Sequence, residues 1–256
     1  MKLPVYFVSD NHFFMDSPQN ENNRRELLFS LFEKIKKENG TLVIGGDFLD
    51  FWFDYGKDQP LGYENIFNQL SELSESGVEI HYVLGNHDYW DFGYFNKKFN
   101  AKVHRGNFEF SINGKKIIIT HGDGLLARDV GYRFMRKIIR SKVCIFLFKI
   151  LGGQIGCALA KKISNTSKKY NHSERHNKKY KVLKENIRIE INNYIINNWI
   201  DDYDVVLIGH YHQTGMDDIA NNKKIIYLGD WLNYYTVTCL KASGWEQFSW
   251  QKNKFS

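Results

Sequence analysis

Val5-Tyr6-Phe7-Val8-Ser9-Asp10-Asn11-His12 is the stretch on which the fold turns. A short β-prone run passes directly into an aspartate and a histidine, so it reads as a strand buried on both faces that delivers polar groups from its carboxyl end. The same arrangement returns four times. Thr41–Ile44 leads to Gly46-Asp47, Ile80–Leu84 to Gly85-Asn86-His87-Asp88, Lys116–Ile119 to His121-Gly122-Asp123, and Val205–Ile208 to Gly209-His210-Tyr211-His212. Between the first three runs lie helix-period segments, one carrying Leu27, Leu28, Leu31, Phe32 and Ile35, the other Ile66, Phe67, Leu70 and Leu73. Gly40 and Gly77 stop them, which gives a βαβαβ beginning. Phe108 to Thr120 reads as a hairpin around Asn113-Gly114, so the sheet is expected to be mixed. A helix from about Val182 to Trp199 and a strand over Lys224–Leu228 complete the reading, with no internal repeat and no linker.

Strands of an open α/β sheet direct their carboxyl ends at one crevice, so the five polar islands are expected to meet. Asp10 and His12 are two apart and point the same way on an extended chain, as do His210 and His212. Glycines before Asp47, Asn86 and His210 let the backbone turn sharply beside a ligand. A lone histidine at a strand end is more often a hydrogen-bonded structural group; five converging islands are not explained that way. Carboxylate, imidazole and amide oxygen suit Mn²⁺, Fe or Zn²⁺, and no cysteine joins them, which argues against a structural zinc site. The candidate ligands are Asp10, His12, Asp47, Asn86, His121, His210 and His212, too many for one ion. Two ions bridged by Asp47 account for all seven. His81, His104, His172 and His176 stand outside the pattern.

The chain has 256 residues, 43% hydrophobic and 25% charged, which excludes disorder and fits one large α/β domain with an insertion. Cys144, Cys157 and Cys239 form no Cys-x-x-Cys pair, so idle thiols in a reducing compartment are expected, and the first residues lack a signal-peptide pattern. The net charge of +6 is concentrated: residues 124–181 hold 15 Lys+Arg against 2 Asp+Glu. Such a block suits an anionic partner. Within it, Val143 to Ala160 is apolar except for Lys149, Gln154 and glycines, too short and interrupted for a transmembrane span. An amphipathic lid accounts for the apolar run and the charge together; a helical insertion packed on its own core is the alternative. Nucleic-acid binding fits less well, because aliphatic residues rather than exposed aromatics alternate with the cations.

The five islands, in this order and spacing, resemble the signature of the calcineurin-like metallophosphoesterases from Val5 to about Leu232. That resemblance implies an α/β sandwich of mixed β-sheets flanked by helices, a single domain over 1–256 with a helical lid insertion at 124–181. It implies a first ion on Asp10, His12, Asp47 and His212 and a second on Asp47, Asn86, His121 and His210, with Mn²⁺ the expected metal. His87, with Asn86 and a supporting Asp88, matches the catalytic group at the scissile phosphate.

Gly46-Asp47-Phe48-Leu49-Asp50-Phe51-Trp52, Thr120-His121-Gly122-Asp123-Gly124-Leu125 with Asp129, Tyr132 and Arg133, Asn165-Thr166-Ser167-Lys168, and Gly229-Asp230-Trp231 are similar to the bacterial UDP-2,3-diacylglucosamine diphosphatases. This implies cleavage of an acylated UDP-sugar to UMP and 2,3-diacylglucosamine 1-phosphate, lipid X, in lipid A biosynthesis. Asp123, Arg128, Tyr132, Asn165, Ser167 and Lys168 would bind the substrate, and Phe146 and Phe148 would line the acyl pocket. The enzyme would sit in the cytoplasm, peripheral to the anionic inner-membrane surface, with no nucleic acid or obligate protein partner. One position departs: the best-known branch of that family has arginine where this chain has His87. The alternative is a metallophosphoesterase acting on a soluble nucleotide or phosphodiester.

Overall fold

All four side chains of β1 (Val5–Val8) are buried, because a layer covers each face of its sheet. The computed structural model describes residues 1–15, 19–56, 59–153, 156 and 178–253. They fall into two compact units, the first spanning 1–54, 61–122 and 203–256 and the second 55–60 and 123–202.

Two sheets form the first unit. One is ordered β11-β10-β1-β2-β3-β4, with β2 (Thr41–Ile44), β3 (Glu79–Val83), β4 (Lys102–His104), β10 (Thr236–Lys241) and β11 (Gly244–Ser249). Strands β1 to β4 are parallel neighbours, and β10 closes antiparallel on β1. The other sheet is ordered β5-β6-β7-β9-β8, with β5 (Phe108–Ile112), β6 (Lys115–Thr120), β7 (Val205–Ile208), β8 (Thr214–Ile219) and β9 (Lys223–Leu228). Strands β6, β7 and β9 are parallel. The expected hairpin is present, turning at Asn113 and Gly114 between β5 and β6.

The period of two along β1 divides the core. Val5 and Phe7 join Val43, Val83, Ile117, Ile119, Val205, Leu207 and Ile226 between the sheets. Tyr6 and Val8 point the other way, against α1 (Gln19–Lys37), α2 (Glu64–Glu75) and α3 (Tyr94–Phe99) through Leu28, Leu31, Phe32, Ile66, Leu70 and Phe95. The end of α1 differs in detail from the reading of Gly40 as its stop. Asn39 takes the left-handed conformation, φ 49°, and the Gly40 amide bonds back to Ile35 O. Gly40 is needed for another reason: a Cβ there would lie 2.6 Å from the Pro4 carbonyl oxygen.

In the second unit, α4 (Val130–Ile139), α5 (residues 142–153) and α6 (Lys178–Asn198) are the described helices. Helix α4 buries none of its residues. Val130, Phe134 and Ile138 on α4, and Val143, Phe146, Leu147, Ile150 and Leu151 on α5, are all exposed. Their spacing of three and four places one apolar stripe along each helix. No helix among the described residues is long and apolar enough to cross a membrane.

Candidate active site

The strand ends do meet, but by tighter turns than an extended chain would give. Asp10, His12, Asp47, His210 and His212 all have left-handed backbones, with φ of 53°, 45°, 49°, 64° and 51°. Such conformations cost about 1–3 kcal/mol each and persist only where surrounding bonds impose them. Here the bonds are visible. The Asp10 amide donates to Gly46 O at 3.0 Å and the His12 amide to Asp47 O at 2.9 Å, carrying the pairing of β1 with β2 past both strands. Tyr211 N donates to Gly209 O at 2.7 Å, so His210 occupies the centre of a γ-turn of the rare left-handed form. The His210 amide in turn donates to the Asp10 carboxylate, 2.9 Å from Oδ2. Gly85 is glycine because a Cβ would collide with the backbone and carboxylate of Asp47.

Three groups of ligand-type atoms result, each lying within 4.8 Å of one another: Asp10, His12 and His212; His12, Asp47 and His87; Asp47, His121 and His210. Asp47 stands between the outer two groups. Its Oδ2 is 3.8 Å from His12 Nε2 and 3.2 Å from His121 Nε2. Asn86 belongs with the His121 side, Oδ1 lying 3.1 Å from His121 Nε2. All seven sequence candidates therefore converge in the first unit. Burial pushes the Asp47 carboxyl upward, but the imidazoles of His121, His87 and His12 override it and hold the group well below the usual carboxylate range. A fully buried, ionised carboxylate ringed by imidazoles is a donor set suited to divalent cations.

The ring nitrogens turned away from this centre are also held. His121 Nδ1 is 3.0 Å from Gly45 O, His12 Nδ1 is 3.7 Å from Asp50 Oδ1, and His212 Nδ1 is 3.2 Å from Asp230 Oδ2. Such outer partners fix ring orientation and tautomer. Asp50 and Asp230 had no assigned role in the sequence reading, although both lie within quoted motifs.

His87 sits beside Asp47, its Nε2 4.0 Å from Oδ2 and its amide donating to Oδ1 at 2.8 Å. The hydrogen bonds of Asp88 lead elsewhere than to that ring. Its carboxylate accepts the Phe48 amide at 2.9 Å, the Gly85 amide at 2.7 Å and the Tyr82 hydroxyl at 2.5 Å. Burial, with Asp47 close by, raises the Asp88 carboxyl to about 6. Asp88 thus pins the loop that carries Asn86 and His87.

Of the expected substrate contacts, Asp123, Arg128 and Tyr132 belong to the second unit. Asp123 Oδ2 accepts from the Tyr132 hydroxyl at 3.0 Å, from Arg136 at 2.9 Å and from Arg140 at 3.2 Å, while Arg128 is exposed. Asn165, Ser167 and Lys168 lie outside the described residues.

Imidazoles and carboxylates thus gather at the carboxyl ends of strands from both sheets, in groups that could hold metal ions. The chain belongs to the calcineurin-like phosphoesterase family, whose model matches residues 3–214. It is 28% identical to a UDP-2,3-diacylglucosamine hydrolase of Porphyromonas gingivalis, over 91% of this chain and 92% of that one. A protein of the same name from Histophilus somni is 24% identical over 94% and 98% of the two chains. Among solved structures, the phosphoesterase Yfce from E. coli aligns with a TM-score of 0.45 at 13% identity, over 94% of this chain and 89% of that one.

Proposed function

We propose that this hydrolase cleaves the pyrophosphate of UDP-2,3-diacylglucosamine, releasing UMP and 2,3-diacylglucosamine 1-phosphate. The observation that carries the acylated substrate is the pair of exposed apolar stripes on α4 and α5. Arg128, Lys137, Lys142 and Lys149 stand exposed on the same helices and their approach. Acyl chains gain about 0.8 kcal/mol per methylene removed from water, and the cations suit phosphate or an anionic lipid headgroup. Relatives bearing that substrate in their names match the chain nearly end to end, this unit included. The segment 124–181 acts in this reading as a lid, and brings the protein to the cytoplasmic face of the inner membrane as a peripheral enzyme.

At the catalytic centre, Asp10, His12, Asp47 and His212 would hold one cation and Asp47, Asn86, His121 and His210 the second. Bound there, two divalent ions, Mn²⁺ in this reading, supply Lewis acidity and lower the pKa of water. Asp47 would serve both positions, and its burial would keep competing water from it. His87 faces the scissile phosphate through Nε2, because Nδ1 is occupied by the Asp50 carbonyl at 2.7 Å. From there it neutralises charge on the oxygen that leaves when water attacks the α-phosphorus. Asn165, Ser167 and Lys168 would meet the sugar and second phosphate, with Asp123, Arg128 and Tyr132.

The test is product analysis with detergent-dispersed UDP-2,3-diacylglucosamine and Mn²⁺. UMP and the acylated sugar phosphate should appear in equal amounts. Hydrolysis of bis-p-nitrophenyl phosphate without any UMP release would move the assignment to a soluble nucleotide or phosphodiester.

A further inference from the structure

We infer that Asp230 is a positioning residue for the metal centre, setting the tautomer of His212 so that Nε2 is free to ligate; this rests on His212 being a ligand of the first cation. Asp230 is completely buried in the turn that follows β9. Its Oδ1 accepts the amides of Leu232 at 2.9 Å, Asn233 at 2.6 Å and Tyr234 at 3.2 Å. Its Oδ2 accepts the Asn233 side-chain amide at 3.2 Å and faces His212 Nδ1, also at 3.2 Å. Three backbone donors on one oxygen prevent the carboxylate from rotating, so the second oxygen is fixed at the imidazole.

The consequence falls on the far side of the ring. A carboxylate offers only acceptors, so Nδ1 must carry the proton. In the neutral ring, the form that ligates a cation, Nε2 then presents a lone pair toward Asp10 Oδ1, 3.7 Å away, with the ring stacked on His12 at 5.3 Å. Two acceptors facing each other across that gap form an arrangement that a cation satisfies. The same turn also holds the neighbouring candidate ligand, because the Trp231 amide donates to Asp10 O at 3.3 Å. One turn thereby fixes the tautomer of one candidate ligand and supports the backbone of another.

Asp230→Asn separates tautomer control from turn structure. The amide oxygen can still accept the three backbone amides, while the NH₂ group gives up the Asn233 side-chain bond, donates to Nδ1 and drives the imidazole proton to Nε2. Mn²⁺ titration should show one of two ions weakened about 10- to 100-fold, with the other unchanged. The melting temperature of the metal-free protein should hold. ¹⁵N shifts of His212 in that protein should report the proton moving from Nδ1 to Nε2, and excess Mn²⁺ should restore kcat. His212→Ala provides the reference, losing one ion outright. Wild-type affinity for both ions with an Nδ1-protonated ring in Asp230→Asn would overturn the inference, as would loss of both ions with a lowered melting temperature. Two ions retained in His212→Ala would overturn it through the ligand assignment. None of these readouts uses the lipid substrate, so failure of the substrate reading leaves them intact.

Discussion

The imidazole of His87 is anchored by the backbone of Asp50, its Nδ1 lying 2.7 Å from that carbonyl oxygen. A main-chain acceptor does not titrate, so this ring keeps one orientation whatever the charge state around it. His87→Gln should lower kcat by roughly 10²- to 10⁴-fold, the usual contribution of a positioned proton-bearing side chain. Metal content should stay at the wild-type value, because the seven proposed ligands remain. Parallel steady-state kinetics and elemental analysis check both statements; loss of metal in step with activity would make His87 a ligand instead.

Asp47 lies between the two groups of ligand atoms, with Oδ2 3.8 Å from His12 Nε2 and 3.2 Å from His121 Nε2. Asp47→Ala should therefore abolish nearly all activity and release both ions. His12→Ala and His121→Ala should each weaken one ion and recover partly in excess Mn²⁺. Elemental analysis of folded protein decides it, and full occupancy in Asp47→Ala is the result that would rule out a shared bridge.

The legible part of this molecule was the part where burial and polarity change abruptly. Val5–Val8, Thr41–Ile44 and Val205–Ile208 are fully buried four-residue strands ending on ligand-type residues, so strand and site were read from the same signal. Strand β8, with Asp217 and Asp218 in a half-exposed edge position, gave no such contrast, and Thr236, Thr238 and Lys241 masked β10. The ligand set was legible from residue type. The left-handed backbones at Asp10, His12 and His212 were not, because they are imposed by bonds to residues distant in sequence. Asp230 and Asp50 were missed for the same reason. The division of labour around His87 depended on tertiary contacts, with its Nδ1 on the Asp50 carbonyl and the Asp88 carboxylate taken by Phe48, Gly85 and Tyr82.

His104 makes a pH prediction away from the metal centre. Burial, reinforced by His81 and Lys102, lowers its imidazole to about 4. The ring stacks on Phe108 at 3.9 Å, and its Nε2 lies 3.0 Å from His81 Nδ1. An unfolded histidine titrates near 6.5, so between about 6.5 and 4 the unfolded chain binds more protons and stability falls as pH falls. Screening of a half-exposed ring limits the effect by pH 5 to on the order of 1 kcal/mol, about 2–4 °C in melting temperature for a chain of this size. His104→Gln should flatten the melting-temperature profile between pH 7.5 and 5. An unchanged slope in that variant would remove His104 as its cause.

Phe146 and Ile150 test the proposed lid, and the structure selects them over the pair suggested by sequence. Phe146 is 64% exposed and Ile150 66%, four residues apart on the apolar stripe of α5, whereas Phe148 is half-buried on another face. If the stripe receives acyl chains, Phe146→Ser with Ile150→Ser should raise KM for UDP-2,3-diacylglucosamine roughly 10²- to 10⁴-fold, since large apolar side chains contribute about 1.5–3 kcal/mol each when buried. Hydrolysis of bis-p-nitrophenyl phosphate should be unchanged, because a small ester has no chain to bury. Phe148→Ser should act differently, lowering the melting temperature while changing KM little. Equal loss toward both substrates in the double variant, with its circular dichroism unaltered, would show that the stripe serves the catalytic centre in general and not the acyl chains.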